Sequence, residues 1–289
     1  MTDLSPLLEA RYGTAAAPPA AAPIAAANPT LETLLRHKST RAFLQAPLPP
    51  GTLELLAAAA QSAATSSNLQ TWSAVAVTSP PLKSEAAVLC GDQEFIRAAP
   101  LFLVFCADLA RLGAAADRHG MPPGDGLAFF EMYTMAAVDA SLAAQNACVA
   151  AEALGLGACY VGAARNRPRE LAALLGLPPR VVALFGLAVG RPDPAAGAGA
   201  AVKPRLAQDE VVHRETWGSN GEGDGGVEQR QAANLAAYDE ALAEFNTQQG
   251  RGDAPTWTYR SAHRIATVES LHGRDILRQV MEERGFELR

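Results

Sequence analysis

Two basic clusters hold the residues best suited to chemistry. His37-Lys38-Ser39-Thr40-Arg41 sets an imidazole, an ammonium, a guanidinium fork and two hydroxyls within five residues, and Lys203-Pro204-Arg205 repeats the ammonium and guanidinium far along the chain. Lys and Arg are donors without an acceptor of their own. Their counterpart is an anion with several oxygens, above all a phosphate, and each charge-assisted hydrogen bond to it contributes roughly 1.5–3 kcal/mol net. For either cluster alone, a solvated basic turn is the plainer reading. Between them lie two polar turns, Thr65-Ser66-Ser67-Asn68-Leu69-Gln70 and Tyr160-Val161-Gly162-Ala163. The four segments together allow a composite nucleotide site, with Arg and Lys on the phosphate and amide and main-chain groups on a polar ring.

Other chemistries lack their residues. There is no G-x-x-x-x-G-K-[ST] loop, no G-x-G-x-x-G after the first strand, no H-E-x-x-H and no G-x-S-x-G. The histidines (His37, His119, His213, His263, His272) are scattered and read as surface or satisfied core groups, so no metal site is expected. Four cysteines (Cys90, Cys106, Cys148, Cys159) form neither a C-x-x-C pair nor a disulfide framework and read as buried thiols of a reducing compartment. With 24 Lys and Arg against 30 Asp and Glu, the net charge is −6, which argues against a general nucleic-acid binder. The longest apolar runs, Ala98–Ala107 and Val181–Gly190, fall well short of the ~20 residues that span a bilayer, and a cytoplasmic protein is expected.

The elements that must position these groups follow from periodicity. Residues 1–29, dominated by Ala and Pro, have little to bury and read as a flexible arm. Thr30 caps a short helix through Leu31, Leu34 and Leu35, which delivers the first basic cluster. Further helices are expected over 53–64, 82–89, 129–154, 168–175, 227–248 and 261–284. Strands are expected over 74–78, 98–107, 158–161 and 181–189, the second and fourth apolar enough for a buried position. The 129–154 helix is apolar on most sides, which places it centrally or in a subunit interface. Residues 190–201 form a Gly/Ala/Pro linker, and the five glycines of 218–226 make that stretch a loop. Strands interspersed with helices imply an α/β or α+β sandwich.

The ordered motifs resemble the FMN-dependent nitroreductase family, in particular its oxygen-insensitive NADPH nitroreductases and flavin reductases. The carriers are H-K-S-T-R at 37–41, A-T-S-S-N-L-Q at 64–70, G-D-Q at 91–93, F-C-A-D at 105–108 and A-Q-N-A at 144–147. They continue with E-A-L-G-L-G-A-C-Y-V-G at 152–162, L-F-G-L-A-V-G at 184–190 and K-P-R-L at 203–206. The resemblance covers roughly residues 30–285.

It implies an α+β fold, a mixed sheet sandwiched by helices, assembled as an intertwined homodimer with FMN in clefts at the interface. The chain then divides into an arm at 1–29 and one FMN-binding domain at 30–289 with excursions at 193–226 and 246–260. By position, His37, Lys38, Ser39 and Arg41 hold the ribityl and phosphate groups, joined by Lys203 and Arg205 at the phosphate and ring edge. Ser66, Ser67 and Gln70 come from the partner subunit, and Gln93 contacts the ribityl chain. Tyr160, Val161, Gly162 and Ala163 lie along the flavin. The implied activity is ping-pong reduction of nitroaromatics, quinones or related acceptors with NADPH or NADH, in which flavin N5 carries the hydride and no side chain acts as base or nucleophile. A flavin reductase feeding a partner oxygenase, and a flavin-binding regulator without turnover, are the alternatives. Arg251, beside Asp253, is the candidate for the nucleotide 2′-phosphate. Asn68 stands where relatives often carry an aromatic residue, and Ala163 where a glycine is common.

Overall fold

The computed structural model describes residues 4–13, 28–121, 125–195, 201–219 and 226–289. In chain order the helices and strands are α1 (Ser5–Tyr12), α2 (Pro29–Arg36), α3 (Thr52–Gln61), β1 (Trp72–Val77), α4 (Pro80–Leu89), α5 (Glu94–Ala98), β2 (Leu101–Asp108) and α6 (Ala110–Arg118). They continue with α7 (Phe130–Ala153), β3 (Gly157–Val161), α8 (Pro168–Leu174), β4 (Val181–Gly190), α9 (Gln208–Val211), α10 (Val227–Gln248), α11 (Trp257–Arg264) and α12 (Leu277–Glu283). Two compact units emerge, one of residues 39–197 with 271–289, the other of residues 1–38 with 198–270. This division departs from a boundary at residue 29 and runs between Lys38 and Ser39, inside the first basic cluster.

The larger unit is built on a four-stranded sheet in the order β1-β2-β4-β3. β2 is buried at every residue because its alternate side chains feed two cores. Phe102, Val104 and Cys106 meet α4, α5 and α8 through Ala86, Ile96 and Leu171. Leu101, Leu103 and Phe105 meet α3 and α7 through Leu56, Ala60, Ala143 and Ala147. Helices thus cover both faces, as expected for the α+β sandwich. Strand pairing among the described residues is antiparallel, and the parallel component of the expected mixed sheet is one bridge, Ser39 to Ala158.

Helix α7 presents small residues to the sheet (Ala136, Ala140, Ala143, Ala144, Ala147, Ala151), so its backbone approaches closely. Its other side is not buried: Val138 is 51% exposed and Leu142 43%. Of the two placements expected for this helix, a central one leaves these side chains unexplained.

The smaller unit contains α10 and α11, packed through Tyr238, Leu242, Phe245 and Trp257, with Tyr238 and Trp257 edge to face at 5.6 Å. Two expectations are corrected here. Residues 5–12 are helical, not an extended arm: Pro6 opens α1, and buried Arg11 ties its end down. The rest of the expected arm, 14–27, lies outside the described residues, as do 220–225 of the glycine-rich loop. The continuous helix expected over 261–284 is broken: α11 ends at Arg264, a 3-10 turn covers 269–271, and α12 begins at Leu277. Positive φ at His272 (53°) and Gly273 (79°) interrupts the helix, a conformation open to glycine but strained for other residues. The cap of α2 is Asn28, whose Oδ1 accepts from the Thr30 N–H at 2.8 Å, so Thr30 lies inside the helix.

Candidate flavin-binding site

The segment after Lys38 lies along the outer edge of β3. Ser39 bridges Ala158, and the Thr40 N–H donates to the Ala158 carbonyl at 2.9 Å. Thr40 turns inward and is buried, while Ser39 and Arg41 are exposed. This seating needs Gly157, because a Cβ there would stand 2.6–2.7 Å from the Thr40 side chain. Gly190 plays the same part beneath Phe43, whose ring atoms would lie at 2.9 and 3.1 Å from an added Cβ. Arg41 holds its guanidinium 5.9 Å from the centroid of the Phe95 ring, a cation–π arrangement that keeps the charge at the surface.

Next to this edge, the 91–93 turn meets the turn that follows β3. Gly91 has φ +82°, and a Cβ on it would contact Ala163 Cβ and Asn166 Nδ2 at 3.6 Å and Gln93 Nε2 at 4.0 Å. Gln93 is fixed by donation from Nε2 to the Cys90 carbonyl at 2.8 Å. Asn166 is fixed by acceptance from Arg274 Nε at 2.8 Å. Tyr160 is half-buried, its hydroxyl 3.3 Å from Gln145 Oε1 and its ring edge-on to Phe185 at 5.6 Å. Burial pushes its phenol pKa well up, so the hydroxyl keeps its proton. Val161 is 2% exposed and its side chain belongs to the core, so it offers a ligand only its main chain. Ser39, Arg41, Gln93, Tyr160, Gly162 and Ala163 are therefore grouped along β3 and the turns at its end.

The 65–71 loop stands on a different support. Ser66, Ser67 and Gln70 are exposed, with positive φ at Ser67 (48°), Asn68 (56°) and Gln70 (53°). This loop is held by Asp139 of α7, a carboxylate only 1% exposed. Asp139 accepts from Thr65 Oγ1 (2.6 Å), the Ser66 N–H (3.1 Å), the Thr71 N–H (3.1 Å) and Thr71 Oγ1 (2.8 Å). Burial pushes its pKa up, but the hydrogen bonds outweigh that and hold it below the ordinary aspartate value. The remaining loop hydrogen bonds run within the loop, to Arg111 and to Asp108. Sequence reasoning passed over Asp139, although an acidic residue amid alanines of an apolar helix was a usable signal.

In the smaller unit, the second cluster is pinned by its main chain. Arg11 Nη1 donates to the Lys203 carbonyl (3.1 Å), Tyr238 Oη to the Pro204 carbonyl (3.2 Å), and the Arg205 N–H to the Arg11 carbonyl (2.8 Å). The side chains of Lys203 and Arg205 stay exposed. The Arg11 guanidinium also donates from Nη2 to the carbonyls of Leu35 (3.1 Å) and His37 (2.8 Å), so His37 and Lys38 follow a fixed turn. Arg251 is exposed just past α10, its N–H bonded to the Asn246 carbonyl at 2.7 Å.

No helix among the described residues is long and apolar enough to cross a membrane. The chain matches the model described as "Nitroreductase family" over residues 34–191 and that described as "Nitroreductase family, C-terminal domain" over 203–289. It is 35% identical over 260 residues to "FMN reductase (NADPH)" of Bacillus subtilis, covering 90% of this chain and 98% of the relative. To the "Oxygen-insensitive NADPH nitroreductase" of Salmonella typhimurium it is 35% identical over 233 residues, 80% of this chain and 88% of that one. The solved structure of B. megaterium NfrA2 superposes with a TM-score of 0.81 at 31% identity, covering 91% of this chain and 100% of that one. With the sandwich fold, the order of the motifs and these matches in agreement, the chain belongs to the nitroreductase family.

Proposed function

We propose that the protein is an FMN-dependent NAD(P)H oxidoreductase that reduces nitroaromatics, quinones or related acceptors by two-electron transfer. The observation that carries this reading is the grouping of Ser39, Arg41, Gln93 and the 160–163 main chain along the β3 edge. The donor set fits the cofactor. Hydroxyls, an amide and fixed cations suit a phosphorylated polyol, and main-chain N–H groups suit the polar edge of a ring.

His37, Lys38, Ser39 and Arg41 would hold the phosphate and ribityl groups, with Lys203 and Arg205 adding charge at the phosphate and ring edge. Gln93 would take a ribityl hydroxyl, and Tyr160, Val161, Gly162 and Ala163 would line the ring. Held by these residues, FMN would supply the redox chemistry, two-electron exchange between NAD(P)H and the acceptor. The protein's part is binding, orientation and a positive field at the ring edge, where negative charge develops on reduction. No side chain is required as base, and Tyr160, with its pKa raised by burial, keeps its proton throughout.

Ser66, Ser67 and Gln70 would reach the cofactor of a second copy. The exposed Val138 and Leu142, one helical turn apart on α7, support a homodimer through that helix. Arg251 would meet the 2′-phosphate of NADPH, and the cytoplasm, with its nicotinamide pool, would be the place of action. The test is steady-state turnover of the FMN-loaded protein with NADH and NADPH across nitroaromatic, quinone and free-flavin acceptors. Flavin uptake with nucleotide oxidation is expected. A protein that stays colourless with FMN refutes the reading.

A further inference from the structure

We infer that Arg11, on the short helix that precedes the family match, is a positioning residue for both basic clusters of the flavin site. The inference rests on the proposed placement of His37, Lys38, Lys203 and Arg205 at the flavin phosphate and ring edge.

The geometry is specific. Arg11 is 6% exposed, and its guanidinium donates to the carbonyls of Leu35, His37 and Lys203, while its own carbonyl receives the Arg205 N–H. One residue therefore ties the exit of α2 to Lys203, which lies 192 positions from Arg11 in the chain. Both ties fall where regular structure stops or is missing: Leu35 lies in the last turn of α2 and His37 ends it, and 201–207 is neither helix nor strand. Such stretches lose most order when cross-links are removed. The four contacts named are to main-chain atoms, and the side chains of Lys203 and Arg205 are exposed. A planar fork with five donors suits the task of satisfying several carbonyls at once, which an ammonium on a flexible stem does poorly.

The family matches cover 34–191 and 203–289, so α1 lies outside both. An eight-residue helix is too short to persist alone in water, and its order depends on the docking that Arg11 provides. Arg11 acts through the clusters and touches no ligand. Its contribution is preorganisation, which sets affinity without adding a contact.

The experiment is FMN titration of the full-length apoprotein, followed by flavin fluorescence, for wild type, Arg11→Gln, Arg11→Lys, Arg205→Ala and the Arg11→Gln/Arg205→Ala double variant. Far-UV circular dichroism and the apoprotein melting temperature are recorded alongside. Arg11→Gln is expected to raise the FMN Kd on the order of ten- to a hundredfold by loss of preorganisation, with the helical signal kept and partial recovery in Arg11→Lys. The double variant is expected to be weaker than Arg205→Ala by clearly less than the factor that Arg11→Gln costs alone, because part of what Arg11 positions is already gone. A purely structural role would lower the melting temperature and leave the two Kd effects multiplicative, and that outcome overturns the inference. A wild-type Kd in Arg11→Gln, with a raised Kd in Arg205→Ala, overturns it while leaving the flavin site standing. A wild-type Kd in both singles removes the proposed site and the inference with it. Should Arg11→Gln fail to fold, Arg11→Lys carries the comparison, and an unchanged Kd there counts against the inference.

Discussion

The carboxylate of Asp139 holds Thr71 twice, through its N–H at 3.1 Å and its hydroxyl at 2.8 Å, and both oxygen atoms of the carboxylate are used by the 65–71 loop. That loop contains three residues at positive φ, Ser67, Asn68 and Gln70, none of which is glycine. Left-handed backbone at such residues costs of order 1–3 kcal/mol each and persists only where surroundings enforce it. Asp139 fixes the residues on either side of them, Thr65, Ser66 and Thr71.

Replacing Asp139 with Asn keeps the shape but sets an amide N–H₂ against two hydroxyls and two main-chain N–H donors. The expected loss is about 3 kcal/mol, from weakened charge-assisted bonds and an unsatisfied buried donor. Urea unfolding of the apoprotein measures it. Wild-type stability should also have an acid limb. The folded pKa of Asp139 lies below its unfolded value of about 3.9, so its contribution is present above that pH and is lost as pH falls through the folded value. Asp139→Asn should lack this limb. A limb of equal size in both proteins would show that other carboxylates cause it.

Gly157→Ala is expected to dislodge the 39–41 segment. Its Cβ would stand 2.6–2.7 Å from Thr40, which is itself buried against the sheet. Overpacking of this kind costs about 1–3 kcal/mol. Because Ser39 and Arg41 ride on the segment, flavin affinity should fall together with stability. Trimming Thr40 to Ala in the same chain should restore part of both, measured by FMN titration and thermal melting.

The four cysteines should resist modification in the folded state. All are buried, and burial pushes the thiols of Cys90, Cys106 and Cys148 up to about 12 and raises that of Cys159. At pH 8 the thiolate fraction is then negligible. Labelling by a thiol-specific disulfide reagent should be slow in buffer and complete in urea. Rapid labelling of any one of them in buffer would contradict this burial.

Leu142→Asp on α7 should yield a monomer. It stands beside Val138 on an apolar face that is exposed among the described residues. Placing a charge in that face removes its contribution to association and leaves a buried carboxylate in any dimer that forms. Sedimentation measures the outcome, and because Ser66, Ser67 and Gln70 are proposed to serve the other copy, FMN affinity should drop with it. An unchanged sedimentation profile would place the interface elsewhere.

Arg251→Ala should raise the KM for NADPH severalfold and leave that for NADH unchanged, since only NADPH carries the 2′-phosphate. Equal effects on both would mean that Arg251 reads a part common to the two nucleotides.

Much of the fold was legible from local pattern. Apolar runs marked β2 and β4, and glycine and proline punctuation marked most helix ends, because burial and backbone dihedral limits act residue by residue. The ordered motifs identified the family and supplied candidate residues for the proposed site. What the one-dimensional chain could not express was long-range pairing. That Gly157 makes room for Thr40 requires knowing that 39–41 lies on β3, 117 positions along the chain. That Asp139 serves the 65–71 loop, and that Arg11 serves 35–37 and 203–205, depends on buried polar groups finding their partners only once the backbone is folded. Residues 5–12 depart from the flexible arm expected over 1–29 for the same reason: their neighbours are rich in Ala and Pro, and the tie is a buried arginine bonded to carbonyls distant in the chain. Residue types determined the chemistry available to this protein, and tertiary structure decided which main-chain atoms hold those residues in place.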